Sequence, residues 1–175
     1  MTTRTLWVFL GLFSVGCVGA PIDDLNDTDA TTLAQIAADA AKAKTLSSTT
    51  TSLLVSKYYV AVRGLNLNNW LNCFAKDAIL DDPFGQSMLQ GQQNIAGAYQ
   101  GAIDSFSVLD MREKDVFTPD QTDQAAIRWT ANLTFKNGLK VDPFNGITTI
   151  TFNENGKIKL LKAFWDPAVL VNAHY

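Results

Sequence analysis

The sequence predicts an α+β domain, with helices first and an antiparallel sheet after them. Three observations carry this prediction. Ahead of Ser105 the apolar residues recur at helical spacing, as Leu54, Tyr58 and Ala61 do. Beyond it they fall in runs rich in β-branched and aromatic residues. Between those runs stand Asn137-Gly138 and Asn153-Glu154-Asn155-Gly156, both of hairpin-turn type. With 175 residues, 47% of them hydrophobic, and ten Phe, four Trp and four Tyr, the chain can fill one core and line a pocket as well.

The elements follow in order. Arg4 and the apolar run Leu6 to Gly16 read as a signal peptide over residues 1–20, since the run is too short for a membrane-spanning helix. Two processing routes fit it. One is cleavage near Ala20, and the other is lipidation of Cys17 after Ser14-Val15-Gly16; a buried N-terminal helix is the structural alternative to both. The expected location is therefore outside the cytoplasm: secreted, periplasmic or anchored to a membrane by lipid at Cys17. Residues 21–52 read as a tether, with an acidic stretch, an Ala-rich helix over Thr32 to Lys44 and a Ser/Thr-rich spacer over Thr45 to Ser52.

The folded domain is expected over residues 53–170, with 171–175 as a tail. Its first helix runs from Leu53 to a stop at Gly64, and a second carries Trp70, Leu71 and Phe74 inward beside a buried Cys73. Ala78-Ile79-Leu80 reads as a short strand ended by Asp81-Asp82-Pro83-Phe84-Gly85. A third helix covers Gln92 to Ile103. Strands then run over Leu109 to Phe117, Ala125 to Phe135, Leu139 to Phe152 and Lys157 to Trp165. Helices on one face of a curved sheet make a cone with an apolar mouth, a shape that small ligands use.

Composition excludes several functions. Fourteen Lys and Arg against seventeen Asp and Glu leave a formal charge of -3, which disfavours nucleic acid as a partner. Two Cys and one His, His174 near the end, do not make a four-ligand zinc site of the usual Cys and His type. His174 reads as a solvent-exposed tail residue.

Several separated stretches stand in a telling order: Tyr58, Ala75-Lys76-Asp77-Ala78 leading into Asp82-Pro83-Phe84-Gly85-Gln86, Gly91 with Ile95 and Tyr99, Phe152-Asn153-Glu154-Asn155-Gly156-Lys157-Ile158, and Ala163-Phe164-Trp165. Together they resemble ketosteroid isomerase and its relatives in the nuclear transport factor 2-like superfamily. The resemblance implies a cone-shaped fold with helices packed on a curved antiparallel sheet. It also implies a homodimer through the sheet, an apolar small-molecule ligand and no cofactor. It places the general base at Asp82, which would move a proton between two carbons next to a carbonyl, as in a steroid delta-isomerase or a related SnoaL-like cyclase.

Tyr58 falls on the family's oxyanion donor, and Tyr99 on a tyrosine that supports that donor by a hydrogen bond. The family's second donor, an acid, is replaced here by Thr148, counting back from Phe152. Asp142 is a candidate substitute on the same strand face if the strand is regular, which Pro143 opposes. Phe74 stands where some relatives keep a third tyrosine. Phe84 and Trp165 match apolar positions near the ligand, and Phe74, Phe84 and Trp165 are the expected ligand contacts. Simpler readings stand beside these. Asp82 can cap a turn before Pro83, Tyr59 can replace Tyr58 as the inward residue, and the aromatics can be plain core. A non-catalytic binder of a hydrophobic ligand and a protein-interaction module remain as alternatives to the enzyme.

Overall fold

The computed structural model describes residues 45–120 and 122–174. The expected export segment with Cys17, the acidic stretch and the Ala-rich helix lie outside the described residues.

The Ser/Thr-rich stretch is not a spacer. Ser47 caps a helix, α1 (Ser48–Arg63), by accepting from the Thr50 amide at 3.1 Å. Hydroxyl side chains favour this place because they satisfy amides that the first turn leaves unpaired. Thr51 is fully buried, so the domain begins ahead of residue 53. A short helix, α2 (Leu67–Leu71), is capped by Asn66, and Cys73 lies in the turn after it rather than on it. Phe74 opens β1 (Phe74–Asp81), which is longer than its apolar Ala78-Ile79-Leu80 centre suggested.

A three-residue strand not expected from the sequence, β2 (Met88–Gln90), precedes α3 (Gln92–Ser105). The remaining strands are β3 (Phe106–Phe117), β4 (Gln124–Phe135), β5 (Lys140–Phe152) and β6 (Ile158–Phe164). A 3-10 turn, Pro167–Asn172, follows. Its end is not a free tail, because the His174 backbone pairs with Lys140 on β5 while its side chain stays half in solvent.

The six strands form one sheet in the order β2-β1-β6-β5-β4-β3, antiparallel throughout except for a parallel β1–β6 pair. The register slips at several points. Opposite β4, Ala131 pairs with Phe144 and Leu133 with Val141, so Asp142 and Pro143 both stand against Asn132. Such a β-bulge bends a strand and tolerates a proline without an amide to donate. Bulges within β3–β4 and β1–β6 add to the curvature.

The inner face of the curved sheet carries Ile127, Trp129, Ala131 and Leu133 from β4, with Thr148 and Ile150 from β5. Against it α1 packs Val55, Tyr58, Tyr59 and Val62. Gly146 lies under the Trp129 indole, and a Cβ there would enter the ring. Gly146→Ala therefore pushes Trp129 off its seat. The expected loss is about 1–3 kcal/mol, in the range of overpacked cores, read from chemical denaturation; an unchanged midpoint would contradict this account of the glycine.

Candidate active site

Between the helices and the inner face of the sheet lies a cavity of about 210 Å³. Its wall is mainly apolar, with Leu80, Leu109, Met111, Leu133, Phe144 and Leu170 among the residues that face it. Drug-sized ligands usually occupy about 300–1,000 Å³. This space is accordingly smaller than most such sites and has the dimensions of a small ring system. The polar side chains of the wall are Tyr58, Trp70, Asp82, Tyr99, Trp129, Thr148 and Trp165.

Two adjacent acids divide the labour at the end of β1. Asp81 turns away from the cavity and accepts the Gly85 amide at 2.8 Å, so it is Asp81 that caps the turn. Gly85 has a φ of 78°, a conformation open to glycine at little cost. The turn is tied to β6 by the Phe84 amide, which donates to the Ala163 carbonyl at 2.7 Å, and the Asp82-Pro83 bond within it is cis. Asp82 faces the cavity. Trp165, just beyond β6, donates from its indole Nε1 to Asp82 Oδ1 at 2.6 Å.

Burial raises the Asp82 carboxyl above its ordinary range. The Trp165 hydrogen bond favours the charged form and works against that rise, while the neighbouring Asp81 adds to it. The result is a carboxyl group that keeps its proton to a higher pH than a surface aspartate does.

Tyr58 is buried in the wall, edge-on to both Tyr59 and Phe74 with ring centroids at 5.1 and 6.1 Å. Burial drives its phenol well above the ordinary tyrosine value, and the charges of Tyr59 and Asp82 act in the same direction. It is thus a hydroxyl donor at any physiological pH. Tyr59 is fully buried behind the wall beside Thr148, and its phenol is also raised by burial. Both tyrosines are inward, but Tyr58 is the one that reaches the cavity.

Thr148 is buried and accepts from the Trp129 indole at 2.8 Å. That bond uses a lone pair of the hydroxyl, and the Tyr59 phenol lies beside it, its ionisation eased by Thr148.

Four expected positions need correction. Tyr99 lines the cavity but does not support Tyr58. Its hydroxyl donates to the carbonyls of Ala61 and Val62 at 3.1 and 2.6 Å, and burial pushes its pKa up to about 12. Phe74 is core, only 1% exposed, and packs on Tyr58 and Trp70 behind the wall. Phe84, 46% exposed, stacks on Phe164 outside the cavity with the Lys162 ammonium over its ring. Asp142 is thrown outward by the bulge to an exposed position 3.8 Å from the His174 imidazole, so it is no substitute donor.

Sequence reasoning missed Trp129, Phe144 and Trp70 as wall residues. The alternation of Ile127, Trp129, Ala131 and Leu133 was a usable signal for the first of these. Cys73 is buried, unpaired, and held above its ordinary pKa by burial, in keeping with a structural thiol. Among the described residues no cluster of side chains is arranged to hold a metal ion, and no helix is long and apolar enough to cross a membrane.

The Asp82 shift has a sign that can be tested. The folded state binds the proton more tightly than the unfolded chain, so this group's contribution is full below the ordinary aspartate value of 3.8 and declines as pH rises through the folded pKa. Asp82→Asn, neutral at every pH, should gain thermal stability over the wild type as pH rises from that value, and the two should converge in acid. A constant difference in Tm across the range would refute the buried-acid account.

Residues 55–161 match the SnoaL-like domain family. No curated protein sequence matches the chain. Among solved structures it is similar to SalBIII, described as an epoxide hydrolase/cyclase-like enzyme in pyran ring formation in the polyether salinomycin. The TM-score there is 0.60 at 18% identity, over 67% of this chain and 92% of that one. It is also similar to RV0760c from Mycobacterium tuberculosis in complex with estradiol-17beta-hemisuccinate, with a TM-score of 0.61 at 19% identity over 71% and 98% of the two chains. A second structure of RV0760c gives 0.63 at 19% identity over 71% and 96%. At these identities the likeness speaks for the fold. With the family match over residues 55–161, the curved six-stranded sheet and the helices packed on it, the chain belongs to the SnoaL-like domain family of the nuclear transport factor 2-like superfamily.

Proposed function

We propose that the protein binds a small, mostly apolar molecule bearing a carbonyl and moves a proton next to that carbonyl, with Asp82 as the base. The observation that carries this reading is a buried carboxyl in an apolar wall, fixed by the Trp165 indole at 2.6 Å, in the same cavity as a tyrosine hydroxyl donor. The open cavity favours a ligand site over an interaction module, which would fill the cone with side chains. Members of the superfamily include isomerases and cyclases.

In this reading ionised Asp82 takes a carbon-bound proton, and its raised pKa makes it a stronger base than a surface carboxylate. Negative charge then develops on the ligand oxygen, which Tyr58 and Thr148 meet with hydroxyl donors. Asp82 returns the proton to a second carbon. Thr148 is a weaker donor than a carboxylic acid, so a slow isomerase, or a binder of the same ligand class, fits the wall better than a fast enzyme.

The test is conversion of a β,γ-unsaturated ketone, steroid or monocyclic, to its conjugated isomer, followed by absorbance. Asp82→Asn should lower the rate by about 10²–10⁴ and Tyr58→Phe by about 10²–10³, with ligand binding retained. The wild-type rate should rise with pH through the Asp82 pKa. Saturable binding without turnover would leave a binder; neither binding nor turnover would remove the reading.

Export and self-association belong to the same proposal. The apolar run ahead of Cys17 supports export. Ile147, Phe164 and Phe84, exposed on the outer face of the sheet and its margin, support pairing of two copies there. Mass and sedimentation of the mature protein from cells expressing the full chain should show loss of about 20 residues or an acylated Cys17, and a dimer that Ile147→Asp dissociates. An intact, monomeric cytoplasmic product would contradict both.

A further inference from the structure

Leu170 is the cavity-wall residue contributed by the C-terminal 3-10 turn, Pro167–Asn172. Local signals start this turn. Pro167 stands at its first positions, and the Asp166 side chain accepts the Ala168 amide at 2.9 Å. No residue of the turn is buried, and Val171 is 84% exposed, while Leu170 is half-buried against the core. The other walls are better seated. Val55 and Tyr59 of α1 and Ile95 of α3 are fully buried. A wall element with no buried side chain opens more readily than these, because it loses little apolar contact when it lifts.

The turn is fastened at both ends. Ahead of it the Trp165 indole is held by Asp82, and its ring packs on Phe144 with centroids at 5.7 Å. Beyond it Lys140 and His174 exchange two backbone hydrogen bonds, at 2.5 and 2.8 Å. The bulge in β5 also turns Asp142 out to within 3.8 Å of the His174 imidazole. That contact is exposed and of the kind that contributes little. The backbone pair with Lys140 is therefore the main fastening.

An apolar cavity of about 150 Å³ holds benzene, so the 210 Å³ here holds a single substituted ring while Leu170 stays in place. A longer molecule has to displace Leu170, and Leu170 moves only with the turn that carries it. We infer that Pro167 to His174 form a strap across the cavity and that Leu170 on it is a specificity-determining residue: with the strap fastened at Lys140 the site takes one-ring compounds, and ligands of several fused rings enter only by lifting it. The inference rests on the ligand-binding reading above and adds the size of ligand that the cavity admits. It also gives the β5 bulge a place in the site, since the strap is fastened beside it.

The test uses the full chain and two probes, 3-methylcyclohex-2-enone and progesterone, which carry the same enone on one ring and on four. Leu170→Ala should raise progesterone affinity about ten-fold, as expected when apolar ligand surface fills the space of the lost side chain, and leave the one-ring enone within about two-fold. A merely structural role for Leu170 would weaken both probes or neither. Lys140 and His174 face each other as a hydrogen-bonded antiparallel pair, a separation that a disulfide spans. In the double variant Lys140→Cys/His174→Cys, oxidation should exclude progesterone without changing the one-ring enone, and reduction should restore the reduced behaviour. Progesterone affinity unmoved by Leu170→Ala, or progesterone bound equally by the oxidised and reduced pair, overturns this inference alone. Failure of wild type and Leu170→Ala to bind either probe overturns the ligand-binding reading, and the strap with it.

Discussion

The helical wall of the cavity depends on one side chain, Tyr99. Its hydroxyl reaches from α3 to the carbonyls of Ala61 and Val62 in the last turn of α1, where a helix runs out of its own donors. Its ring lies flat on Trp70 of α2. Three helices are thus referred to one ring, and none of them can shift without breaking a buried contact. Family likeness assigned Tyr99 to the support of a hydroxyl donor; it instead ties α3 to the α1 backbone and to the Trp70 ring.

On the opposite side the sheet is kept curved by bulges, and Trp129 stands on Gly146 with its N–H on Thr148. The two constructions have the same character. Aromatic rings supply bulk and rigidity, and the Trp129 and Trp165 indoles are aimed at Thr148 and Asp82 of the wall. The outcome is a cavity in which the Asp82 carboxylate and the Thr148 and Tyr99 hydroxyls are already held by neighbours.

Much of this was legible in the sequence. Helical spacing, the two Asn-Gly turn signals and the β-branched and aromatic runs between them lead to most of the observed order of elements, and the separated matches around Asp82 and Trp165 lead to the family. What failed did so where tertiary context decides. Thr45 to Ser52 has the composition of a linker, yet a serine at a helix start is worth more than its bulk preference suggests. Asp142 keeps the parity of an inward residue only if β5 is regular, and Pro143 helps make the bulge that turns it out. Phe74 and Phe84 lie on segments adjacent to the site, but which side of a strand or turn a ring occupies is set by partners remote in sequence, Tyr58 for Phe74 and Phe164 for Phe84. Trp70 reads from the sequence as an inward residue, but only the fold shows that it faces the cavity.

Cys73 gives the molecule a reporter of its own. The thiol sits in the turn between Trp70 and Phe74, the two rings behind the Tyr58 wall, and it is buried and held in its protonated form. A thiol reagent reacts with the thiolate, so labelling at this site must wait for the corner to open. The rate of modification at Cys73 accordingly meters the breathing of that wall, and a ligand that closes the cavity slows the clock without touching the sulfur.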